Sequence, residues 1–231
     1  MRLKEIKNTE FIPTFRIMDK KDQVIIELLK NIKVENPDSF VYVVPNLFTK
    51  KVRSFMLIRE DLRFVKEIIT KLIELNTLPD PDTKLCFALW QSVIVTYGKC
   101  FTENKAGLSK LERVALGGIK AMQDLHDRLM NLRHSYIAHR DDTEHEQAVV
   151  FMKMNKTEDI GELTEYQIKS RKLIAPGAGE LGGYLALFEL LLEETAKKIQ
   201  KHTEKAHHAF LKELSPKHIS LLLINNMKDL D

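Results

Sequence analysis

The feature that most constrains the fold is a helical spacing of apolar residues that recurs through most of the chain. Between residues 52 and 75, apolar side chains return every three or four positions. An α-helix turns once every 3.6 residues, so this spacing places them on one face of a helix. The same rhythm recurs over residues 86–100 and 180–214. We therefore predict a mainly α fold, an up-down bundle whose helices pack through these faces.

Composition agrees with a helical globule. The 231 residues are 44% hydrophobic and 30% charged, with nine glycines and seven prolines. This is enough apolar material for a core without disulfides or metals, and too little Gly and Pro for a collagenous or low-complexity chain. We expect a single domain over residues 1–231, with the bundle core at 52–213 and an irregular N-terminal extension at 1–50. Within that extension, residues 19–31 form a short amphipathic run.

Three further segments are assigned from local pattern. Residues 38–48 are β-branched, aromatic and interrupted by Pro45, which favours an extended segment. Ser109 is a candidate cap for one long helix of about seven turns that ends near His139. Residues 146–155 and 163–174 alternate loosely around Gly161, which predicts a small β-hairpin inserted at about 146–174. A short terminal helix is expected after Ser215 and a proline.

Charge and cysteine usage indicate the compartment. The formal net charge of +3 is too small to predict nucleic-acid binding by itself, so any basic site must be local. Cys86 and Cys100 lie fourteen residues apart, about 21 Å on one helix, which is beyond disulfide reach. We interpret both as buried free thiols. No membrane-length apolar window and no signal-peptide pattern is present, so we expect a cytoplasmic protein without a membrane partner.

Two patterns could suggest a nucleotide site and a metal site, but each is better explained by a structural role. Residues 177–182 match G-x-G-x-x-G, but the preceding segment is half polar and no second strand follows, so a tight turn with close packing through Gly182 and Gly183 is favoured. No histidine pair has the i, i+4 or i, i+3 spacing of a helical zinc site. We expect no metal and no cofactor, with His202 as a hydrogen-bonded core residue and His207 and His208 solvated.

The remaining chemical signal lies late in the predicted long helix. His126, Arg133 and Arg140 are seven residues apart and share one stripe, about 100° from the apolar face. In an unbroken helix His139 would lie about 120° round from Arg133 and about 9 Å further along. Their convergence therefore requires helix termination at Ala138 or a second chain. The plain alternative is a basic helix end, stabilised by about 0.3–1 kcal/mol through the helix dipole.

The stretch LRHSYIAHRDD resembles the R-x(4–6)-H motif of the HEPN superfamily, particularly abortive-infection and toxin-type members. Arg133 matches the motif arginine, His134 the polar residue after it, and His139 the motif histidine. His134 stands where asparagine or aspartate is more usual. The resemblance covers residues 52–213 in architecture and about ten residues in specific letters, and the hairpin has no counterpart in the general pattern.

The resemblance implies a metal-independent endoribonuclease, usually a homodimer, that cleaves RNA to a 2′,3′-cyclic phosphate. Histidine can exchange protons near neutral pH, and arginine presents a permanently charged fork to phosphate. The resemblance leaves open whether an antitoxin or nucleotidyltransferase partner silences the enzyme. The candidate catalytic residues are Arg133 and His139, and the candidate binding residues are His134, Arg140, Tyr136 and His126.

Two other functional hypotheses stay open. The first is a catalytically inactive HEPN-like module that binds RNA, a nucleotide or a partner protein through the same basic groove. The second is a purely structural helical adaptor, in which the motif is coincidental. The basic run that contains Lys197, Lys198, Lys201 and Lys205 is interpreted as a solvated helix face rather than an RNA guide.

Overall fold

The computed structural model describes residues 20–42, 44, 46–103, 107–138, 147–153, 165–171, 173–213 and 215. These residues form five α-helices and one two-stranded antiparallel sheet, which confirms the prediction of a mainly helical chain with a small hairpin. The helices are α1 (Lys20–Glu35), α2 (Asn46–Leu75), α3 (Thr83–Phe101), α4 (Lys120–Asn131) and α5 (Ala178–Glu213). The strands are β1 (Gln147–Lys153) and β2 (Glu165–Arg171). The terminal helix expected after Ser215 and residues 1–19 of the N-terminal extension lie outside the described residues.

The chain divides into two compact units, one of residues 49–206 and one of residues 1–48 with 207–231. In the second unit, Ile26 of α1 is buried, and the ring of Phe48 meets the ring of Phe210 edge-on at 6.0 Å. Helix α1 covers the amphipathic run predicted at 19–31. The extended segment predicted for 38–48 is wrong at both ends, because residues 38 and 39 lie in a turn and a bend and α2 begins at Asn46.

The unit of residues 49–206 holds a core in which α3 packs against α5. Trp90 of α3 lies 5.1 Å from Tyr184 of α5 between ring centroids, and Tyr97 lies 5.5 Å from Phe188. All four rings are almost fully buried, and burial of such a side chain contributes about 1.5–3 kcal/mol. Cys86 and Cys100 are buried free thiols on α3, as predicted. The most buried large side chains are Trp90, Tyr97, Tyr184, Phe188, Leu62, Ile69, Leu72, Ile94, Leu111, Leu116, Leu129 and Leu181.

The prediction of one long helix from Ser109 is wrong for the first half of that segment. Residues 109–112 are not helical, Arg113–Leu116 form a single 3₁₀ turn, and α4 begins only at Lys120. The break lies at Gly117 and Gly118, whose φ angles are 62° and 72°. These left-handed values are incompatible with an α-helix, and glycine adopts them without steric cost. The apolar side chains of this segment are buried without a helix, since Leu111 lies in a loop and Ala115 in the 3₁₀ turn.

The second half of that prediction is wrong in helix type. Helix α4 ends at Asn131, and the chain continues as a π-helix over Leu132–Ala138. A π-helix bonds each residue to the fifth along rather than the fourth, so the angular positions expected from 3.6 residues per turn do not apply here. π-helical insertions are frequent at functional sites. This one carries the arginine of the candidate motif.

The hairpin follows the sequence interpretation, and the start of α5 follows it in part. Strands β1 and β2 pair antiparallel with Val150 opposite Ile168. Within the described residues this hairpin is the whole sheet, so the glycine run at the start of α5 has no βαβ context. Close packing is found at Gly183, where an added Cβ would lie 3.3 Å from Leu125, but not at Gly182, which has no neighbour within 4 Å. Among the described helices, none has an apolar stretch of the length that a bilayer crossing requires.

Candidate functional site

The Arg133 side chain crosses α3 at Gly98. A Cβ placed on Gly98 would lie 2.0 Å from Cδ of Arg133 and 2.5 Å from its Nε, so any larger residue would displace the arginine. Beyond this crossing, Nη1 of Arg133 donates a hydrogen bond to Oγ1 of Thr102 at 2.6 Å. The Thr102 hydroxyl in turn donates to the carbonyl of Gly98 at 2.7 Å. Arg133 is therefore clamped along the last turn of α3.

The guanidinium of Arg133 is held by a neutral group. Within the described part of the chain it forms no ion pair, whereas Arg113 pairs with Asp127 through two hydrogen bonds of 2.7 Å and Arg128 pairs with Glu180. One of the five guanidinium N–H donors is used on Thr102. The half-buried side chain thus carries a positive charge that no described carboxylate compensates. Such a group can hold a phosphate.

His126 belongs to the core rather than to an open groove. Its Nδ1 lies 2.7 Å from the hydroxyl of Tyr97, and its ring centroid lies 4.5 Å from that of Phe101. Burial lowers the pKa of His126 and raises the pKa of Tyr97, so both groups are neutral near pH 7. His126 joins α4 to α3, and a direct role in binding stays a prediction.

The other motif residues divide between described and undescribed positions. His134 is exposed on the π-helix. Tyr136 has a described backbone within Leu132–Ala138, but its side chain lies outside the described residues, as do His139 and Arg140. The convergence of Arg133 and His139 therefore stays a prediction.

The histidines outside the motif form no metal centre in the described residues, where no group of three His, Cys, Asp or Glu side chains is placed to hold an ion. His207 and His208 are exposed, as predicted. His202 differs from its prediction as a hydrogen-bonded core residue. It is half-buried and stacks on Phe55, with ring centroids 5.5 Å apart and an interplanar angle of 7°.

Sequence reasoning missed the residues that position Arg133. Gly98 lies in the interior of an apolar helix, where glycine costs about 1 kcal/mol relative to alanine. A glycine in such a place indicates close approach of another group, and this signal was available from the sequence. Thr102 gave no such signal in the sequence, because a threonine just after a helix is common.

No protein-family model, curated protein or solved structure matches this chain.

Proposed function

We propose that this chain is a metal-independent endoribonuclease of the HEPN type, acting as a toxin or phage-defence effector. Arg133 would hold the scissile phosphate, and His139 would exchange protons with the reacting oxygens. The proposal takes the protein as a homodimer, in which two copies of the motif face one composite site. The basis is the R-x5-H motif at residues 133–139, together with the mainly helical fold.

The observation that carries the proposal is the clamp on Arg133. Gly98 and Thr102 fix the side chain before any ligand arrives, and the anchor is a hydroxyl rather than a carboxylate. A guanidinium that is positioned in advance stabilises the charge that develops on phosphate without reorganising at the moment of reaction. An arginine that served only to stabilise the fold would more commonly pair with an acid, as Arg113 and Arg128 do here.

The chemistry that follows is proton transfer around a charged phosphorus centre. A neutral His139 imidazole takes the 2′-hydroxyl proton, and the 2′-oxygen forms a bond to phosphorus. The bond from phosphorus to the 5′-oxygen breaks, and the protonated His139 of the second copy returns a proton to that oxygen. Arg133 cannot lose its own proton, so it balances the negative charge throughout. The products are a 2′,3′-cyclic phosphate and a 5′-hydroxyl.

The experiment is cleavage of end-labelled single-stranded RNA by the full chain in excess EDTA. We expect cleavage by the wild type, loss of cleavage in His139→Ala, and a fall of about 10²–10³-fold in Arg133→Ala, the usual effect of removing one transition-state donor. Arg113→Ala is the matched control, because it removes an arginine whose exposed ion pair contributes at most about 1 kcal/mol. Mass spectrometry identifies the terminal phosphate.

The assay also separates the alternatives. Equal cleavage by the wild type and His139→Ala would contradict the enzyme proposal. RNA binding without cleavage would instead favour the catalytically inactive module. The dipole of α3 is a further alternative explanation for Arg133, since Thr102 is the C-cap of that helix and a cation is stabilised there with or without RNA. In that case Arg133→Ala would lower stability and leave cleavage unchanged.

A further inference from the structure

A second feature of the unit of residues 49–206 is an open cleft of about 480 Å³ between α2, α5 and the loop that follows α3. We call it the lysine cleft. Its lining includes Lys51, Phe55, Ser109, Lys110, Lys198 and His202. The volume falls within the range of about 300–1,000 Å³ that is typical of small-molecule sites.

The part of the loop at residues 109–111, which lies in one wall, is held by hydrogen bonds to two helices. The backbone N–H of Ser109 donates to Oγ of Ser54 at 3.1 Å, and that hydroxyl donates to the carbonyl of Lys50 at 2.8 Å. Two residues later, the N–H of Leu111 donates to the carbonyl of Cys100 at 2.7 Å, and the Leu111 side chain is buried. The wall is therefore joined to both α2 and α3. The cleft exists before a ligand arrives.

Flat rings and a cation lie together in the cleft. His202 stacks on Phe55, and Nζ of Lys198 lies 5.6 Å from the centroid of the same Phe55 ring. Phe55 is only 5% exposed, so the stack is held by a core residue. His202, which lines the cleft, is thus a ring surface held at a fixed angle.

Three lysines and two glutamates line the cleft, which gives it a net charge of +1 when His202 is neutral. Lys51 and Lys198 form no ion pair within the described part of the chain, while Lys110 pairs with Glu103 at 2.9 Å. Glu112 is a second acid in the lining. Burial first, and then the surrounding lysines, lower the pKa of His202. The lysines that act on this one imidazole are Lys51, Lys205, Lys201 and Lys198.

This arrangement refines the interpretation of the basic run on α5. Lys197 points to solvent and pairs with Glu194, so the solvated-face interpretation fits it. Lys198, one residue further on, is half-buried over Phe55 and lines the cleft. Holding several like charges around one ring is unfavourable in the folded chain, and an anion would relieve that repulsion.

We propose that the lysine cleft binds a nucleotide, with its phosphate on Lys51 and Lys198 and its base against His202. Base–aromatic stacking and cationic side chains together are the usual means of holding such a ligand. The ligand can be a free nucleotide or one nucleotide of an RNA strand. The site does not depend on the proposed ribonuclease activity, although Glu103 of its lining directly follows the Thr102 that anchors Arg133.

The test is titration of the full chain with ADP, inorganic phosphate and a fluorescein-labelled oligo(U) RNA at low salt. We expect Lys198→Glu to weaken ADP binding at least tenfold and Lys198→Arg to retain it. Lys197→Glu is the matched control, because it makes the same charge change on the neighbouring residue outside the cleft; less than a twofold effect is expected. His202→Ala should weaken ADP binding about fivefold or more without changing inorganic phosphate binding.

The titration results either support or overturn the proposed nucleotide site. Binding of ADP, of oligo(U) or of both, with the Lys198→Glu loss, supports the site and identifies the source of its nucleotide. Equal affinities of Lys198→Glu and Lys197→Glu, or no saturable binding of either probe, would overturn it. His139→Ala should bind ADP like the wild type, so a failed cleavage assay and a failed cleft are distinguishable. Melting curves confirm that each variant is folded.

Discussion

Replacement of Gly98 by alanine is the sharpest test of the Arg133 clamp. The new methyl group would occupy the space where Cδ and Nε of Arg133 now lie, at 2.0 and 2.5 Å. These atoms belong to a flexible side chain, so the arginine would rotate away and the backbone of α3 would stay in place. The change removes the clamp without touching the guanidinium itself.

The effect on stability is the difference of two similar terms. Alanine in place of an interior helical glycine stabilises by about 1 kcal/mol. Loss of the Arg133 to Thr102 hydrogen bond costs about 1.5–3 kcal/mol for a charged donor, and less here because the site is only partly buried. The free energy of unfolding should therefore change by no more than about 1–2 kcal/mol. For a chain of this size, each kcal/mol shifts Tm by about 2–4 °C.

The assay combines thermal melting with RNA cleavage. We expect Gly98→Ala to melt within a few degrees of the wild type and to lose cleavage as severely as Arg133→Ala. Gly182→Ala in α5 is the control, since an added Cβ there has no neighbour within 4 Å. It should raise Tm slightly and leave cleavage unchanged. Full cleavage by Gly98→Ala would refute the clamp, and a Tm loss above about 10 °C would mean that the backbone had moved instead.

Four further predictions concern the core and the assembly. Because burial lowers the pKa of His126 below its ordinary 6.5, the unfolded chain binds more protons below that pH. The free energy of unfolding should then fall as the pH drops from 7 to 5, and His126→Gln should make that fall shallower. Tyr97→Phe leaves the His126 nitrogen without its partner and should cost about 1–3 kcal/mol in denaturant melts. Burial raises the pKa of Cys100 to about 12, so a thiol reagent should label it only after unfolding. Light scattering at micromolar concentration should give twice the 26.8 kDa of one chain, as the proposed composite site requires.

Each of these has a plain contrary result. Parallel stability curves for the wild type and His126→Gln would show that this histidine does not titrate with folding. An unchanged melt for Tyr97→Phe would mean that the hydrogen bond contributes nothing net. Rapid labelling of Cys100 in the native chain would contradict its burial, and a mass near 27 kDa would remove the basis for a site shared by two chains.

The helices that bury an uninterrupted stripe were predictable from the sequence. The spacing of Phe55, Ile58 and Leu62 predicted α2, and all three are buried. Asp82 is the N-cap of α3, and its side chain accepts hydrogen bonds from the N–H groups of Lys84 and Leu85. Local pattern succeeds here because no glycine in a left-handed conformation interrupts the repeating apolar face of these helices.

The region around the motif was less predictable, because the spacing of apolar residues does not determine the backbone conformation between them. Leu111 and Leu129 are both buried, yet one lies in a loop and the other in α4. The pair Gly117 and Gly118 was visible in the sequence, and its left-handed conformation decides where the helix breaks. Nothing in the letters of residues 132–138 distinguishes a π-helix from an α-helix.

By itself, the sequence determined a helical chain, a hairpin after the motif and two buried thiols, because each depends on the pattern of neighbouring residues. Only the tertiary structure decided that Arg133 crosses Gly98 to reach Thr102, and that Phe55 and His202 stack beside Lys198. Arg133 and Thr102 are 31 residues apart in the chain. Contacts over such separations depend on how helices pack, and helix packing is set by the whole core rather than by any one segment.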